Sequence, residues 1–159
     1  MMIYLDNNAT TRLDPREKER MKPFLEDEFG NAASHHAYGW KAKDAVTWAR
    51  GQVSSLLNAK IDEVVFTSGE TESNHMVIQG VVLHCLLRGE ISQCHLITSN
   101  VEHKCVLGAF GRARELGASV TILEANTEGF ISVDQLEQAL RPETRLVSLM
   151  YANNEVGSL

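Results

Sequence analysis

Three short polar stretches of the 159-residue chain carry residue types that can do chemistry. The first is Thr67-Ser68-Gly69-Glu70-Thr71, a glycine and a hydroxyl at the start of an apolar-periodic segment. A helix beginning there offers unpaired N–H groups and the positive end of the helix dipole, which suits an anion such as a phosphate. The same residues are also good helix caps, with Ser68 or Thr71 in that role. The Glu70 carboxylate is compatible with a bound anion only if it points away from it. The second stretch, Ser99-Asn100-Val101-Glu102-His103, ends in a histidine that can stack on a flat ring, shuttle a proton, bind a metal or cap the next helix. The third runs from Tyr151 to Gly157 and contains Asn153 and Asn154, whose amides donate and accept and which are also ordinary turn residues.

The elements that must position these stretches follow from apolar periodicity and from turn residues. Residues 3–5 form a short apolar arm. Asp14-Pro15-Arg16-Glu17 predicts a helix start, with a capping Asp, Pro at the first helical position and an acid three residues after the cap. That helix is expected to run to about Phe29 and stop at Gly30. A second helix is expected over 39–57, where Ala42, Val46, Ala49, Val53, Leu56 and Leu57 make one stripe. From there strands and helices alternate: strand 64–66, helix 71–87, strand 95–98, helix 104–116, strand 119–123, helix 132–140 and strand 145–150. The capping box Ser132-x-x-Gln135 opens the last helix, which closes before Pro142. This alternation predicts an α/β fold with a mostly parallel sheet flanked by helices. Ligands of such sheets bind outside the carboxyl ends of the strands, where all three polar stretches are expected to lie.

Composition narrows the function classes. Hydrophobic residues make up 43% and charged residues 23% of the chain, as expected for a globular domain or a large piece of one. A net charge of −6 argues against nucleic acid as a partner. No uninterrupted apolar run approaches the ~20 residues of a membrane-spanning helix. The start MMIYLDNNATT lacks the basic and long apolar regions of a signal peptide. Cys85, Cys94 and Cys105 are odd in number and fit no disulfide framework, so a reducing, cytoplasmic setting is expected. The pairs His84-Cys85 and Cys94-His95 have no standard metal-ligand spacing, and no metal is expected. Cys105 stands at a helix start, which favours a thiolate, but such thiols are usually inert and it is not expected to be the nucleophile.

Five motifs in order along the chain now carry a resemblance. They are Tyr4-Leu5-Asp6-Asn7-Asn8-Ala9-Thr10-Thr11, Phe29-Gly30-Asn31-Ala32-Ala33-Ser34-His35, Phe66-Thr67-Ser68-Gly69-Glu70-Thr71-Glu72-Ser73-Asn74, Thr98-Ser99-Asn100-Val101-Glu102-His103-Lys104 and Asn153-Asn154-Glu155-Val156-Gly157. With these the chain resembles the N-terminal part of the cysteine desulfurases and selenocysteine lyases, pyridoxal-phosphate enzymes of the class V aminotransferase group. The resemblance implies part of a fold type I large domain, residues 15–159, preceded by an arm, residues 1–14. It implies that the Glu70 backbone N–H and Thr71 hold the phosphate of pyridoxal 5′-phosphate. It also implies that His103 stacks on the pyridine ring and takes part in proton transfer, and that Asn154 hydrogen-bonds the ring's phenolic oxygen. The implied reaction takes sulfur from L-cysteine onto a protein thiolate, releases alanine and leaves a persulfide for iron–sulfur cluster assembly or thiolation. A homodimer and a sulfur-acceptor or iron–sulfur scaffold protein are the implied partners.

The sequence departs from the family pattern at Glu70, where Gly or Ala is usual, and at Arg12 and Ala32, where Pro is frequent. The family's cofactor-bonding lysine, its acidic partner to the pyridine nitrogen and its persulfide cysteine lie past the region matched, and Lys104 belongs to the His-Lys motif and is not that lysine. The expectation is therefore an N-terminal fragment that does not desulfurate cysteine alone. The alternatives are a short non-catalytic scaffold of the same fold, or a selenocysteine lyase or other class V enzyme.

Overall fold

The computed structural model describes residues 3–159, so residues 1 and 2 of the expected arm lie outside the described residues. The chain divides into two compact units, one ending at Phe66 and the other comprising Thr67–Leu159.

The first unit holds helices α1 (Pro15–Leu25) and α2 (Ala37–Leu56) and a single 3-10 turn, Ile61–Glu63. Asp14 caps α1 as its sequence predicts, accepting from the Arg16 N–H at 2.8 Å. The helix ends four residues before the expected Phe29. The N–H groups of Glu26, Asp27 and Glu28 all turn back to the Pro23 carbonyl. Three consecutive acids are also unfavourable at the negative end of a helix. The following loop packs tightly onto the start of α2: a Cβ at Gly30 would strike the Tyr38 carbonyl, and one at Gly39 the Ser34 carbonyl. Only glycine permits that approach of backbone to backbone. An apolar groove of about 660 Å³ runs between α1 and α2, lined by Met21, Phe24, Phe29, Val46, Trp48 and Phe66.

Val64–Phe66 was expected to be a strand, and it is not one. The segment is extended, but among the described residues it pairs with no strand. One of its carbonyls has a local partner: Arg50 Nε donates to the Val64 carbonyl at 3.1 Å, and the same guanidinium lies 5.3 Å from the centre of the Phe66 ring. β-prone residues do not make a strand where no neighbouring strand pairs with them.

The second unit is built on a three-stranded parallel sheet in the order β2-β1-β3, with β1 at His95–Ser99, β2 at Ser119–Leu123 and β3 at Thr144–Ser148. Helices α3 (Glu70–Leu87), α4 (Lys104–Glu115) and α5 (Val133–Ala139) complete it. All five residues of β1 are buried, as the middle strand of a covered sheet requires. The main apolar core gathers Ile78, Val82 and Cys85 of α3 and Val106, Ala109, Phe110 and Ala113 of α4 around Cys94 and Leu96. Phe110 is 1% exposed, and deleting such a ring costs about 3–5 kcal/mol. Gln79 adds a polar tie from α3 to α4, its Nε2 donating to the Ala109 carbonyl at 3.0 Å. The Ser132–Gln135 capping box forms in full at the start of α5. Among the described residues no helix is long and apolar enough to cross a membrane.

Candidate functional site

The packing of α3 on α4 brings their N-termini together. Gly69 precedes α3, and no side chain caps that helix. The first of its N–H groups to find a backbone partner is Ser73, which donates to the Gly69 carbonyl at 3.1 Å. The N–H groups of Glu70 and Thr71 are thus the exposed positive end of an 18-residue helix. A Cβ at Gly69 would meet nothing within 4 Å, so the approach to that end is open. Ser68 is drawn back by the Glu72 carboxylate, which accepts its N–H at 2.6 Å. That contact holds Glu72 below the usual carboxylate range. Thr67 and Ser73 share a hydroxyl contact of 2.7 Å that fixes the turn. This first polar stretch therefore reaches the site through helix packing, not as the end of a strand.

Glu70 Oε1 accepts from Asn74 Nδ2 at 3.2 Å, one turn further on, and the carboxylate also lies within 4.8 Å of a His103 ring nitrogen. Thr71 is exposed, beside Glu70 at the start of the helix.

His103 caps α4. Its Nδ1 accepts the Cys105 N–H at 3.2 Å and lies 2.9 Å from Cys105 Sγ. Asn74 Nδ2 approaches the same sulfur at 3.5 Å. The thiol contact, first through its hydrogen bond and then through its charge, raises His103 above the ordinary imidazole value. Burial pushes the Cys105 thiol up, but contacts with Asn74, His103 and Thr71 outweigh it and leave the thiol below the ordinary cysteine value. Glu70, Thr71 and His103, three of the four residues expected at the site, thus share one cluster. The His103 ring itself is exposed.

The fourth, Asn154, stands apart in its contacts: it is exposed, and its amide reaches the neighbouring Glu155 carboxylate at 3.4 Å. Its partner Asn153 is buried and structural. Asn153 Oδ1 accepts the N–H groups of Glu155 and Val156 at 2.8 and 2.9 Å, and its Nδ2 donates to the Val101 carbonyl at 2.9 Å. Glu102 adds a second tie between the loops after β1 and β3, accepting the Ser99 hydroxyl at 3.0 Å and the Met150 N–H at 2.7 Å. Asn100 secures the end of β2, accepting the Ala125 N–H at 2.9 Å and meeting the Glu124 carboxylate.

Sequence reasoning missed the roles of Asn74, Glu102 and Asn153 as positioning residues. The i, i+4 spacing of Glu70 and Asn74 is the signal that could have placed both on one helix face. Of the pairs His84-Cys85 and Cys94-His95, His84 is exposed and the other three residues are buried in the structure. Cys85 and Cys94 sit in the core, and Cys94 is pushed up to about 12 by burial and by contact with Cys85. His95 bonds Thr144 and Thr121, each at 2.8 Å.

An open helix N-terminus, a threonine hydroxyl and an exposed histidine ring beside it form a donor set suited to an aromatic phosphate. The comparisons with known proteins agree with that chemistry. The profile of the family described as Aminotransferase class-V matches residues 3–159, and the chain belongs to that family. The cysteine desulfurase IscS of Dictyoglomus turgidum is 44% identical over 157 residues, covering 99% of this chain and 39% of the relative. A solved structure titled NifS-like protein superposes with a TM-score of 0.92 at 36% identity, covering 99% of this chain and 42% of its own. A second, titled SspA in complex with cysteine, gives a TM-score of 0.88 at 39% identity, covering 96% of this chain and 43% of its own. The chain thus spans about two fifths of the length of these relatives. The family's cofactor is pyridoxal 5′-phosphate, and the sheet with its flanking helices is part of the fold type I architecture.

Proposed function

We propose that these residues form the phosphate and ring wall of the pyridoxal 5′-phosphate site of a cysteine desulfurase, whose whole-length form converts L-cysteine to alanine and enzyme-bound persulfide sulfur. The observation that carries this reading is the meeting of the uncapped α3 N-terminus, at Glu70, with the exposed His103 at the start of α4, whose polar atoms lie within 4.8 Å of each other.

The backbone N–H of Glu70 and the hydroxyl of Thr71 bind the cofactor phosphate, aided by the helix dipole. The His103 imidazole orients the ring by stacking and holds or releases a proton at Nε2, the nitrogen that neither Cys105 group engages. Asn154 bonds the phenolic oxygen of the ring, with Asn153 and Glu102 fixing the loops that carry Asn154 and His103. When bound, the cofactor supplies the electron sink that makes carbon–sulfur cleavage feasible. L-cysteine as substrate is supported by the names of the relatives and by the cysteine complex of a structural neighbour. A sulfur-acceptor or iron–sulfur scaffold protein, a homodimeric assembly and a cytoplasmic location are parts of the same proposal. The three free cysteines suit a reducing compartment.

Titration of the chain with pyridoxal 5′-phosphate, followed by cofactor absorbance and fluorescence, tests the wall. Binding is expected to be displaced by inorganic phosphate and weakened about tenfold in Thr71→Val and in His103→Ala, a loss of about 1.4 kcal/mol. Unchanged affinity in both variants defeats the assignment. The 159 residues alone are expected not to release alanine from L-cysteine, and release would show that the wall is not the only part of the machinery they contain.

A further inference from the structure

The same corner of the fold has a property that a cofactor wall does not require. The Glu70 carboxylate, a His103 ring nitrogen and Cys105 Sγ offer three ligand atoms that all lie within 4.8 Å of one another. We propose that Glu70, His103 and Cys105 bind a divalent metal ion of zinc-like softness when the cofactor is absent, with water completing a four-coordinate shell.

The donor set is the first argument. Thiolate, imidazole and carboxylate together are the ligands of Zn²⁺ and Co²⁺, whereas Mg²⁺ and Ca²⁺ favour oxygen alone. Geometry is the second. Metal–ligand bonds of about 2.0–2.3 Å in a tetrahedron put ligand atoms about 3.3–3.6 Å apart. His103 Nδ1 and Cys105 Sγ are 2.9 Å apart, so a metal must replace the proton they share and spread them slightly. Glu70 must swing inward, which its exposed side chain allows. The positioning shell is the third. Asn74 Nδ2 holds two of the ligands at once, Glu70 Oε1 at 3.2 Å and Cys105 Sγ at 3.5 Å. Such outer partners fix the direction of metal ligands. Access is the fourth: Glu70 and His103 are exposed and Cys105 is half-buried, so an ion enters without local unfolding.

Binding releases the thiol proton to solvent, forms the metal–sulfur, metal–nitrogen and metal–oxygen bonds, and changes no oxidation state. His103 then has its ring committed to the metal. If the cofactor reading above is right, metal and cofactor exclude each other, and this clause rests on that reading, whereas the metal site does not.

Titration of the cofactor-free chain with Co²⁺ reads the site directly, because a thiolate ligand gives a near-ultraviolet charge-transfer band. One equivalent is expected to produce the band, and Zn²⁺ to abolish it. Cys105→Ser is expected to lose the band, and Glu70→Gln and His103→Ala to weaken Co²⁺ binding at least tenfold, with circular dichroism checking each fold. Absence of the band, or its persistence in Cys105→Ser, overturns the site. If Cys105→Ser does not fold, unchanged affinity in both other variants overturns it equally. In a separate arm, pyridoxal 5′-phosphate is added to the Co²⁺-loaded chain. Retention of the band while cofactor binds overturns the exclusion and leaves the metal site standing. Failure of cofactor to bind the metal-free chain counts against the cofactor wall alone.

Discussion

The Glu102 carboxylate accepts the backbone N–H of Met150 at 2.7 Å, across a sequence separation of 48 residues. The same oxygen takes the Ser99 hydroxyl at 3.0 Å. Glu102 is 9% exposed, so this charge has left most of its water and depends on these donors. It lies one residue before His103, and Met150 precedes the loop of Asn153 and Asn154. One buried carboxylate therefore sets the spacing between the two loops that supply the ring-facing groups.

Glu102→Ala is expected to leave the Met150 N–H without a partner, at a cost of about 1–3 kcal/mol. Glu102→Gln keeps an acceptor oxygen and is expected to lose less. Urea unfolding of the two variants, with hydrogen exchange at Met150, distinguishes them. Equal stability of wild type and Glu102→Ala would show that the clamp is idle.

The adjacent asparagines are expected to separate by role. Asn153→Ala removes the acceptor of two N–H groups and the donor to Val101, so a stability loss of about 1–3 kcal/mol is expected. Asn154→Ala removes an exposed side chain and is expected to change stability by less than about 0.5 kcal/mol. In cofactor titrations Asn154→Ala is expected to shift the absorbance of bound pyridoxal 5′-phosphate, because a hydrogen bond to the phenolic oxygen is lost. A stability loss on the Asn154 side of the pair, with none on the Asn153 side, would reverse the assignment.

That division was not legible in the sequence, where Asn153 and Asn154 are equivalent amides in a turn. Burial decides between them, and it depends on a contact to Val101 over 52 residues. Local signals fared better. Asp14-Pro15 and Ser132-x-x-Gln135 act within one helical turn, and both caps form as their residue types dictate. Val64–Phe66 failed because strand propensity cannot say whether a neighbouring strand exists, and here only the Val64 carbonyl finds a partner, in Arg50. The cluster of Glu70, Asn74, His103 and Cys105 was half visible. Glu70 and His103 were singled out by motif and Cys105 lies two residues past His103, but Glu70 and Asn74 meet that pair only because α3 packs on α4.

His95 makes the stability of the second unit depend on pH. It is fully buried, and its ring bridges Thr144 of β3 and Thr121 of β2 across the sheet. Burial first, and then the charge of Arg141, lowers its pKa from the usual 6.5, against a smaller opposing effect of Glu143. The unfolded chain therefore takes up a proton near pH 6.5 that the folded chain refuses. Its contribution is fully present above that pH and is lost as the pH falls from there toward the lower folded value, at no more than about 1.4 kcal/mol per pH unit. The urea midpoint is expected to fall between pH 7 and pH 5.5, and to fall less steeply in His95→Gln, which starts from a lower stability. Parallel pH profiles for the two proteins would exclude His95 as the source.

Cys105 is expected to react before Cys94. Cys94 is held at about 12 by burial and the neighbouring Cys85, so almost none of it is thiolate at neutral pH. Cys105 is half-buried and lies below the ordinary value through Asn74, His103 and Thr71. Iodoacetamide at pH 7 should therefore label Cys105 first, as mass spectrometry of tryptic peptides can show. His103→Ala removes a partner of the thiolate, so its labelling at pH 7 should slow several-fold. The difference should narrow toward pH 10, as a growing share of either thiol ionises. A difference that persists at pH 10 would mean that His103 governs access to the sulfur and not its charge. Because His103 and Cys105 stabilise each other's charged forms, the His103 imidazole should in turn titrate lower once Cys105 is alkylated, which nuclear magnetic resonance of the ring protons would reveal.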